Sequence, residues 1–237
     1  MAGKAEFRVA LEYLSPGAKV LEVGAGAGEF GLRVDGRNYV GLETNPSAAS
    51  LARSKGLDVR TQTLDQHLDA LEADGYDAVC AFQVLEHVED PRSMLEQMLR
   101  ALRPSGYLVV AVPNDESFIS LERNSILNMP PHHQTRWRPR CLSYLSKILP
   151  VKMVSLEREA LADYHVNPYL NTLFAEAIDR LLRRKRSELD WFHASLPMRA
   201  LRRVACLPLR AAFSDERLRA VGHTMVAVMA KNETSAG

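Results

Sequence analysis

The stretch from Val20 to Gly31, VLEVGAGAGEFG, constrains the fold of this chain more than any other. An apolar run holding a single acid, Glu22, passes directly into three glycines at alternate positions: Gly24, Gly26 and Gly28. Because glycine lacks a Cβ, this series permits a sharp turn and lets a ligand come close to the backbone. The pattern predicts a buried strand, Lys19–Val23, that breaks sharply into a helix whose first N–H groups are unpaired.

Two cofactor-binding spacings overlap in this turn. The dinucleotide pattern Gly-x-Gly-x-x-Gly is met by Gly26, Gly28 and Gly31, but it would start two residues late. The pattern acid-x-Gly-x-Gly-x-Gly begins at Glu22 and sets its first glycine directly after the strand. Its acid also suits a cationic ligand better than a pyrophosphate, so we favour this pattern. A turn without a ligand is the weaker alternative, since three glycines lower stability unless their open space is used.

Composition narrows the class of protein. The chain has 237 residues, 46% of them hydrophobic, which is enough for one large α/β domain. Lys and Arg number 30 against 29 Asp and Glu, which argues against a dedicated nucleic-acid binder but not against a local basic patch. The cysteines form no CxxC pair, so we expect reduced thiols and no metal site. The N-terminus lacks a signal-like apolar region and no run is long enough to span a membrane, so we expect a cytoplasmic protein.

Strand and helix patterns alternate after the glycine turn. The predicted order is helix Glu29–Val34, strand Asn38–Leu42, helix Ser47–Lys55, strand Asp58–Thr61, helix Gln66–Ala73, strand Tyr76–Phe82, helix Arg92–Leu102 and strand Tyr107–Val112. This alternation predicts a parallel sheet with crossover helices. A leading helix, Ala5–Leu14, is expected either over the mouth of the cofactor site or on the edge of the sheet. Glu43 ends the second strand, where an acid can accept hydrogen bonds from both ribose hydroxyls in either cofactor class.

Two further stretches carry a family resemblance. The glycine turn and the later run AFQVLEHVEDP, residues 81–91, resemble the class I S-adenosylmethionine-dependent methyltransferases. The run Pro130-Pro131-His132-His133, followed by Trp137, resembles a subfamily that includes the ubiquinone-biosynthesis O-methyltransferases. The resemblance implies a Rossmann-like, seven-stranded α/β sheet with flanking helices and a helical insertion before the last strand.

The resemblance also implies S-adenosyl-L-methionine as cofactor and S-adenosyl-L-homocysteine as product. It places the cofactor against Glu22, Gly24, Ala25, Gly26, Gly28, Glu43, Thr44, Leu64, Asp65, Phe82 and Gln83. In similar enzymes the loop at Thr63–Asp65 holds the adenine, with an acid on its exocyclic amine. Asp65 fits that role, although it could equally cap the helix that follows.

We expect one methyltransferase domain over residues 1–237, with a core at 15–158 and 221–232 and a helical cap at about 160–220. The last part of the core is predicted as helix Pro139–Ile148, strand Val151–Glu157 and strand His223–Ala230. Within the cap, residues 180–210 hold nine Lys and Arg against two acids. This basic segment indicates either a cap that recruits an anionic or membrane-associated acceptor, or a solvated face on a dimerising helix pair.

The long irregular stretch after Val112 carries the candidate catalytic residues. Methylation of a hydroxyl requires removal of its proton, and histidine is the usual base near neutral pH. On the proline-stiffened loop we favour His133 over His132, and the alternative is that both histidines only bond loop carbonyls. His87 is a weaker candidate for the same site. No metal-ligand cluster of carboxylates is evident.

These patterns indicate O-methylation of a small-molecule, glycan or lipid-linked acceptor. An Asn/Asp-Pro-Pro-Tyr tetrad of the kind found in nucleic-acid base methyltransferases does not follow the fourth strand, so nucleic acid is disfavoured. The alternatives are an enzyme of the same fold that methylates a protein or RNA, and a cofactor-binding protein without catalytic activity. Peripheral membrane contact and a homodimer are compatible with the sequence.

Overall fold

The computed structural model describes residues 4–34, 38–70, 75–213, 215 and 220–233, which contain a seven-stranded sheet. The strands are β1 (Val20–Val23), β2 (Tyr39–Leu42), β3 (Val59–Arg60), β4 (Tyr76–Phe82), β5 (Leu102–Pro113), β6 (Val151–Ala160) and β7 (Val221–Lys231). The helices are α1 (Ala5–Glu12), α2 (Pro46–Ser54), α3 (Leu64–Leu68), α4 (Pro91–Ala101), α5 (Pro139–Ile148), α6 (Asp163–Leu181), α7 (Trp191–Ala194), α8 (Leu196–Ala205) and α9 (Leu207–Ala212).

The strand order is β3-β2-β1-β4-β5-β7-β6. Strands β1 to β5 pair in parallel, whereas β7 runs antiparallel to both β5 and β6. The chain moves outward from β1 to β3 and then returns to pair β4 on the other side of β1. In open sheets of this kind ligands bind beyond the carboxyl ends of the strands at such a reversal. The predicted Rossmann-like seven-stranded α/β fold, with a helical segment before its last strand, is confirmed.

Two apolar layers cover the sheet because its strand residues alternate between the faces. Leu21, Val79 and Val110 point to the layer that contains α4 and α5. Val20 and Cys80 point to the opposite layer, which contains α1 and α2. A sheet covered on both faces fixes the strand ends firmly, so the loops that follow them start from a rigid base.

The segment after the glycine turn differs from the prediction. Instead of a helix over Glu29–Val34, the chain forms a single 3-10 turn, Gly31–Arg33. A Cβ on Gly31 would lie 2.6 Å from the ring of Tyr39, so the segment packs against β2 at very close range. No α-helical N-terminus therefore faces the turn within the described residues up to Val34, and the predicted unpaired helix N–H groups are not present there.

Other boundaries moved as well, and two of them show why. The helix predicted at Gln66–Ala73 begins earlier, at Leu64, and the last part of that prediction, residues 71–73, lies outside the described residues. Strand β5 begins at Leu102 rather than Tyr107, because Leu102 already pairs with Tyr76 of β4.

Within the described residues, no helix is both long and apolar enough to cross a membrane.

Candidate functional site

The glycine turn separates two packing glycines from one that faces open space. All three glycines have positive φ, at +77°, +52° and +78°, which side chains other than glycine rarely adopt. A Cβ on Gly24 would lie 2.5 Å from Val84, and one on Gly28 would lie 2.4 Å from Leu57. A Cβ on Gly26 would meet nothing within 4 Å. The backbone at Gly26 is therefore open to a ligand, while its neighbours hold the turn against the protein.

Glu43 lies directly beside this open backbone. Its Oε2 accepts a hydrogen bond from the N–H of Gly26 at 2.8 Å, and its Oε1 accepts one from the N–H of Asn45 at 2.7 Å. The side chain of Asn45 in turn caps α2 by accepting from the N–H groups of Ser47 and Ala48. The carboxylate thus ties the end of β2 to the glycine turn, and each of its oxygens keeps a further lone pair.

A buried amide completes this edge of the sheet. Gln83 follows β4 with a φ of +56°, and its Nε2 is buried without a hydrogen-bond partner in the described part of the protein. A buried donor without a partner is unfavourable by about 1–3 kcal/mol. Together with the space at Gly26 and the Glu43 carboxylate, this free donor fits a polar ligand such as a nucleoside.

Glu22 and Phe82, also predicted to contact the cofactor, are buried in the core. Glu22 is 3% exposed, and its Oε2 accepts a hydrogen bond from the hydroxyl of Tyr39. Burial raises the pKa of Glu22 to about 8, so the carboxyl is largely protonated at neutral pH. The ring of Phe82 packs on Phe7 and Phe30 at 5.2 and 4.8 Å between centroids. Phe7 belongs to α1, so that helix packs against the base of the turn.

The remaining predicted cofactor residues flank the same edge. Ala25 is buried, and its N–H donates to the carbonyl of Leu42 at 2.9 Å. Thr44 is exposed beside Glu43. The side chain of Leu64 is buried and that of Asp65 is exposed, both in the first turn of α3.

The alternative that Asp65 caps its helix is wrong. Thr63 is the N-cap of α3: its hydroxyl accepts from the N–H of Gln66, and the side chain of Gln66 accepts from the N–H of Thr63. Such a reciprocal capping box leaves no capping role for the neighbouring acid.

The histidine loop is anchored to the ends of β4 and β5. The N–H groups of Gln134 and Thr135 donate to the carbonyl of Glu86 at 2.7 and 3.2 Å. Trp137 forms a bridge with Asn114, which follows β5. The indole of Trp137 is buried in the core.

Three imidazoles meet above these strand ends. The ring of His87 lies 4.7 Å from that of His132 and 4.8 Å from that of His133, measured between centroids. The Nδ1 of His87 hydrogen-bonds the backbone carbonyl of His132 at 2.9 Å, and the Nδ1 of His133 hydrogen-bonds Oδ1 of Asn128 at 2.9 Å. Because both partners are carbonyl oxygens, both Nδ1 atoms donate the hydrogen bond.

Burial and neighbouring positive groups lower the pKa of His133 to about 4. The neighbours that add to the effect of burial are His87, His132 and Arg136. His133 is consequently uncharged at neutral pH. Its Nε2 therefore holds a lone pair at neutral pH, and the lowered pKa makes it a weaker base than an ordinary histidine.

Several groups near this cluster were not identified as site residues from the sequence. His223, at the start of β7, has its pKa lowered to about 4 by burial and by the nearby His165 and His133. Glu86 is 1% exposed, and burial raises its pKa to about 7. Asn128 was missed as well. Only the fold brings these residues together, since Glu86 follows β4, His223 lies in β7 and His165 lies in α6, and these elements are far apart in the sequence.

An open α/β edge with an acidic glycine turn and an adjacent histidine cluster defines a class I methyltransferase-like site. Residues 4–157 match the sequence model of a protein family that is described as "Methyltransferase domain". The chain belongs to this family, and the resemblance inferred from the sequence is confirmed.

Curated and solved relatives agree with this assignment. The chain is 30% identical over 135 residues to a ubiquinone biosynthesis O-methyltransferase of Hahella chejuensis, covering 52% of this chain and 56% of that one. A SAM-dependent methyltransferase from Archaeoglobus fulgidus matches with a TM-score of 0.57 and 20% identity over 96% of this chain and 92% of that chain. The cyclase SpnF matches with a TM-score of 0.55 and 16% identity, over 96% of this chain and 80% of that chain. The chain spans about half the length of the first curated relatives that it matches.

Proposed function

We propose that this chain binds S-adenosylmethionine and transfers its methyl group to a hydroxyl oxygen of a small molecule. The observation that carries the proposal is the open backbone at Gly26 beside the Glu43 carboxylate. This open backbone belongs to the acid-x-Gly-x-Gly-x-Gly pattern at the end of β1, and the chain belongs to the methyltransferase domain family. The single 3-10 turn that follows also supports this cofactor over a dinucleotide, whose pyrophosphate would need a helix N-terminus.

Residues that follow β2 and β4, and residues at the start of α3, would each bind a different part of the cofactor. Glu43 would accept hydrogen bonds from the two ribose hydroxyls with the lone pairs that Gly26 and Asn45 leave free. The unpartnered Nε2 of Gln83 would donate to a polar group of the cofactor. Asp65 and Leu64, exposed and buried at the start of α3, would bind the adenine, as in similar enzymes.

The histidine cluster supplies the proton acceptor. When bound, the cofactor would supply a methyl group attached to a positively charged sulfur, and the demethylated cofactor would be a neutral thioether. His133 would take the acceptor's hydroxyl proton at Nε2 while Asn128 holds the proton on Nδ1. Loss of that proton would leave the acceptor oxygen as the nucleophile for the methyl group. His132 and His87 lie close enough to orient the acceptor or to share the proton.

The acceptor class rests on the relatives and on the cap. The relative in Hahella chejuensis is named for O-methylation in ubiquinone biosynthesis, which supports a small molecule that carries a hydroxyl. The arginine-rich helices between β6 and β7 support an acceptor with a negative charge or a lipid tail. We keep contact with a membrane surface and a homodimer as parts of this proposal.

A second candidate has a specific observation in its favour. SpnF shares the fold and is named as a cyclase, so a chain of this fold can carry a reaction other than methyl transfer. Under this alternative the chain would bind S-adenosylhomocysteine, but it would not transfer a methyl group to any acceptor.

Methyl transfer from labelled cofactor distinguishes the two. The chain is incubated with S-adenosylmethionine labelled on the methyl group and with pools of phenols, glycans and lipid extracts, and label in each product is counted. We expect label in a product whose mass rises by one methylene and whose free hydroxyl is lost. Retention of the cofactor without label in any pool would favour the alternative.

A further inference from the structure

A buried ion network holds the helices of the cap together. Arg123 follows β5 and is 3% exposed; its Nη2 donates to Glu176 at 2.7 Å and to Asp179 at 2.8 Å. Asp179 also accepts from Arg184 and contacts His193 at 2.8 Å. These contacts join the loop after β5 to α6 and α7. They make this part of the cap a fixed wall.

A cavity of about 390 Å³ lies against this wall, between the loop after β5, α6 and α8. Arg123 and His193 line its inner side, while Arg199 and Arg202 of α8 line its outer side. A groove of about 330 Å³ shares the two outer arginines and continues past Arg203 and Arg210. Cavities of this size hold small organic ligands.

Basic side chains outnumber acidic ones in the lining of the cavity, although Arg123 is paired with Glu176 and Asp179. The Nε and Nη1 of Arg123 are buried and have no hydrogen-bond partner among the described residues. Arg199 and Arg202 lie three residues apart on one face of α8, and neither forms an ion pair with any residue that the structure describes. The acid that lines the cavity is Glu122, whose pKa burial raises and whose carboxylate accepts from the hydroxyl of Ser125.

We propose that this cavity binds a phosphate group, held by the guanidinium groups of Arg199 and Arg202 in the space that Arg123 also lines. Two guanidiniums on one helix face match the charge of a phosphate monoester and can each donate two parallel hydrogen bonds to it. The amide of Asn171, which lines both the cavity and the groove, can donate or accept at its edge. The groove beside it offers room for the rest of the ligand. The site does not depend on the proposed methyl transfer.

Calorimetry with inorganic phosphate at constant ionic strength tests the site directly. The full chain is compared with the double variant Arg199→Gln, Arg202→Gln and with the control Arg180→Gln. Arg180 is exposed on α6 and does not line the cavity. We expect saturable binding by the unchanged chain, a loss of at least about tenfold in the double variant, and a change below about twofold in the control.

Affinity for S-adenosylhomocysteine is measured on all three proteins. An unchanged value shows that the variants are folded and separates this test from the proposed function. If the unchanged chain shows no saturable phosphate binding, or if the double variant binds phosphate equally well, the proposal is wrong.

Vesicles then identify the source of the phosphate. Phosphatidylglycerol vesicles that bind the unchanged chain and the control, but not the double variant, and that compete with inorganic phosphate, would support the site with a lipid headgroup as its ligand. Phosphate binding that these vesicles do not affect would support the site with a soluble phosphorylated compound. Phosphatidylcholine vesicles, which carry no net charge, serve as the reference.

Discussion

Replacing Glu43 with alanine tests two roles that the structure assigns to one carboxylate. The side chain accepts hydrogen bonds from the backbone N–H of Gly26 at 2.8 Å and of Asn45 at 2.7 Å. It is also the group proposed to hold the ribose. The substitution therefore removes the acceptor of two backbone donors and the binding partner of two hydroxyls.

The magnitudes follow from the nature of these bonds. A hydrogen bond to a charged group contributes about 1.5–3 kcal/mol. Both backbone donors are near the surface, where water can replace the carboxylate, so we expect the free energy of unfolding to fall by about 1.5–3 kcal/mol in total. The loss of even one ribose contact of this strength weakens cofactor binding at least about tenfold.

Asn45→Ala is the matched control for the loss of stability. It removes the side-chain cap of α2, which accepts from Ser47 and Ala48, but it leaves the carboxylate of Glu43 and both of its backbone donors in place. Removing such a cap lowers stability by about 1 kcal/mol. We expect this variant to bind S-adenosylhomocysteine within about twofold of the unchanged chain, because loss of stability alone does not remove a ribose contact.

Urea unfolding and calorimetry with S-adenosylhomocysteine measure the two effects separately. Glu43→Gln keeps one carbonyl acceptor and should lie between the unchanged chain and Glu43→Ala in both assays. An unchanged dissociation constant in Glu43→Ala would refute the ribose role. Equal losses of affinity in Glu43→Ala and Asn45→Ala would show that the lower affinity follows from the loss of stability and not from a lost ribose contact.

Three further predictions concern other parts of the site. Gly26→Val should abolish cofactor binding, because it fills the open space at a φ of +52° where valine is strained; binding by this variant, measured by calorimetry, would contradict the proposed site. His133→Ala should lower turnover by about 10²–10⁴ with little change in cofactor affinity; since its pKa is about 4, kcat/KM of the unchanged chain should not fall with an inflection near pH 6.5. Burial raises the pKa of Glu22 from 4.5 to about 8, so the unfolded chain releases this proton at lower pH and stability should fall between about pH 4.5 and 8. Glu22→Gln, which keeps an acceptor for Tyr39, should remove that part of the pH dependence in urea unfolding.

The sheet could be predicted because its signals are local. Runs such as Tyr76–Phe82 are apolar over the full length of a buried strand, and the structure has this strand with those bounds. Pro139–Ile148 was likewise predicted with its observed bounds, since a proline begins it and its apolar residues repeat at helical spacing. The alternate glycines marked the turn because no other residue adopts positive φ so readily.

The details of the turn depended on packing that the sequence does not display. Gly31 was compatible with a helix, but it packs against the ring of Tyr39 and the chain forms only a single 3-10 turn there. Glu22 is predicted as an acid for a ligand, and the structure shows that its strand position turns its side chain into the layer that holds Tyr39. A strand pattern shows that side chains alternate, but it does not show which face the ligand will use.

Only part of the histidine cluster could be predicted, because some of its contacts join residues that are far apart in the sequence. His132 and His133 were identified because they are adjacent on a proline-rich loop. The orientation of His133 depends on Asn128, and its pKa depends on burial and on His87, which lies about 45 residues away in the sequence. Such effects arise only when β4 and the loop are brought together by the sheet.

Calorimetric titration of the full chain with S-adenosylhomocysteine and, separately, with NADH is the most direct test of the central claim. The acidic glycine turn with open backbone at Gly26 and the carboxylate of Glu43 beside it predict saturable binding of S-adenosylhomocysteine, one molecule per chain, and no binding of NADH. Binding of NADH without binding of S-adenosylhomocysteine would contradict the account.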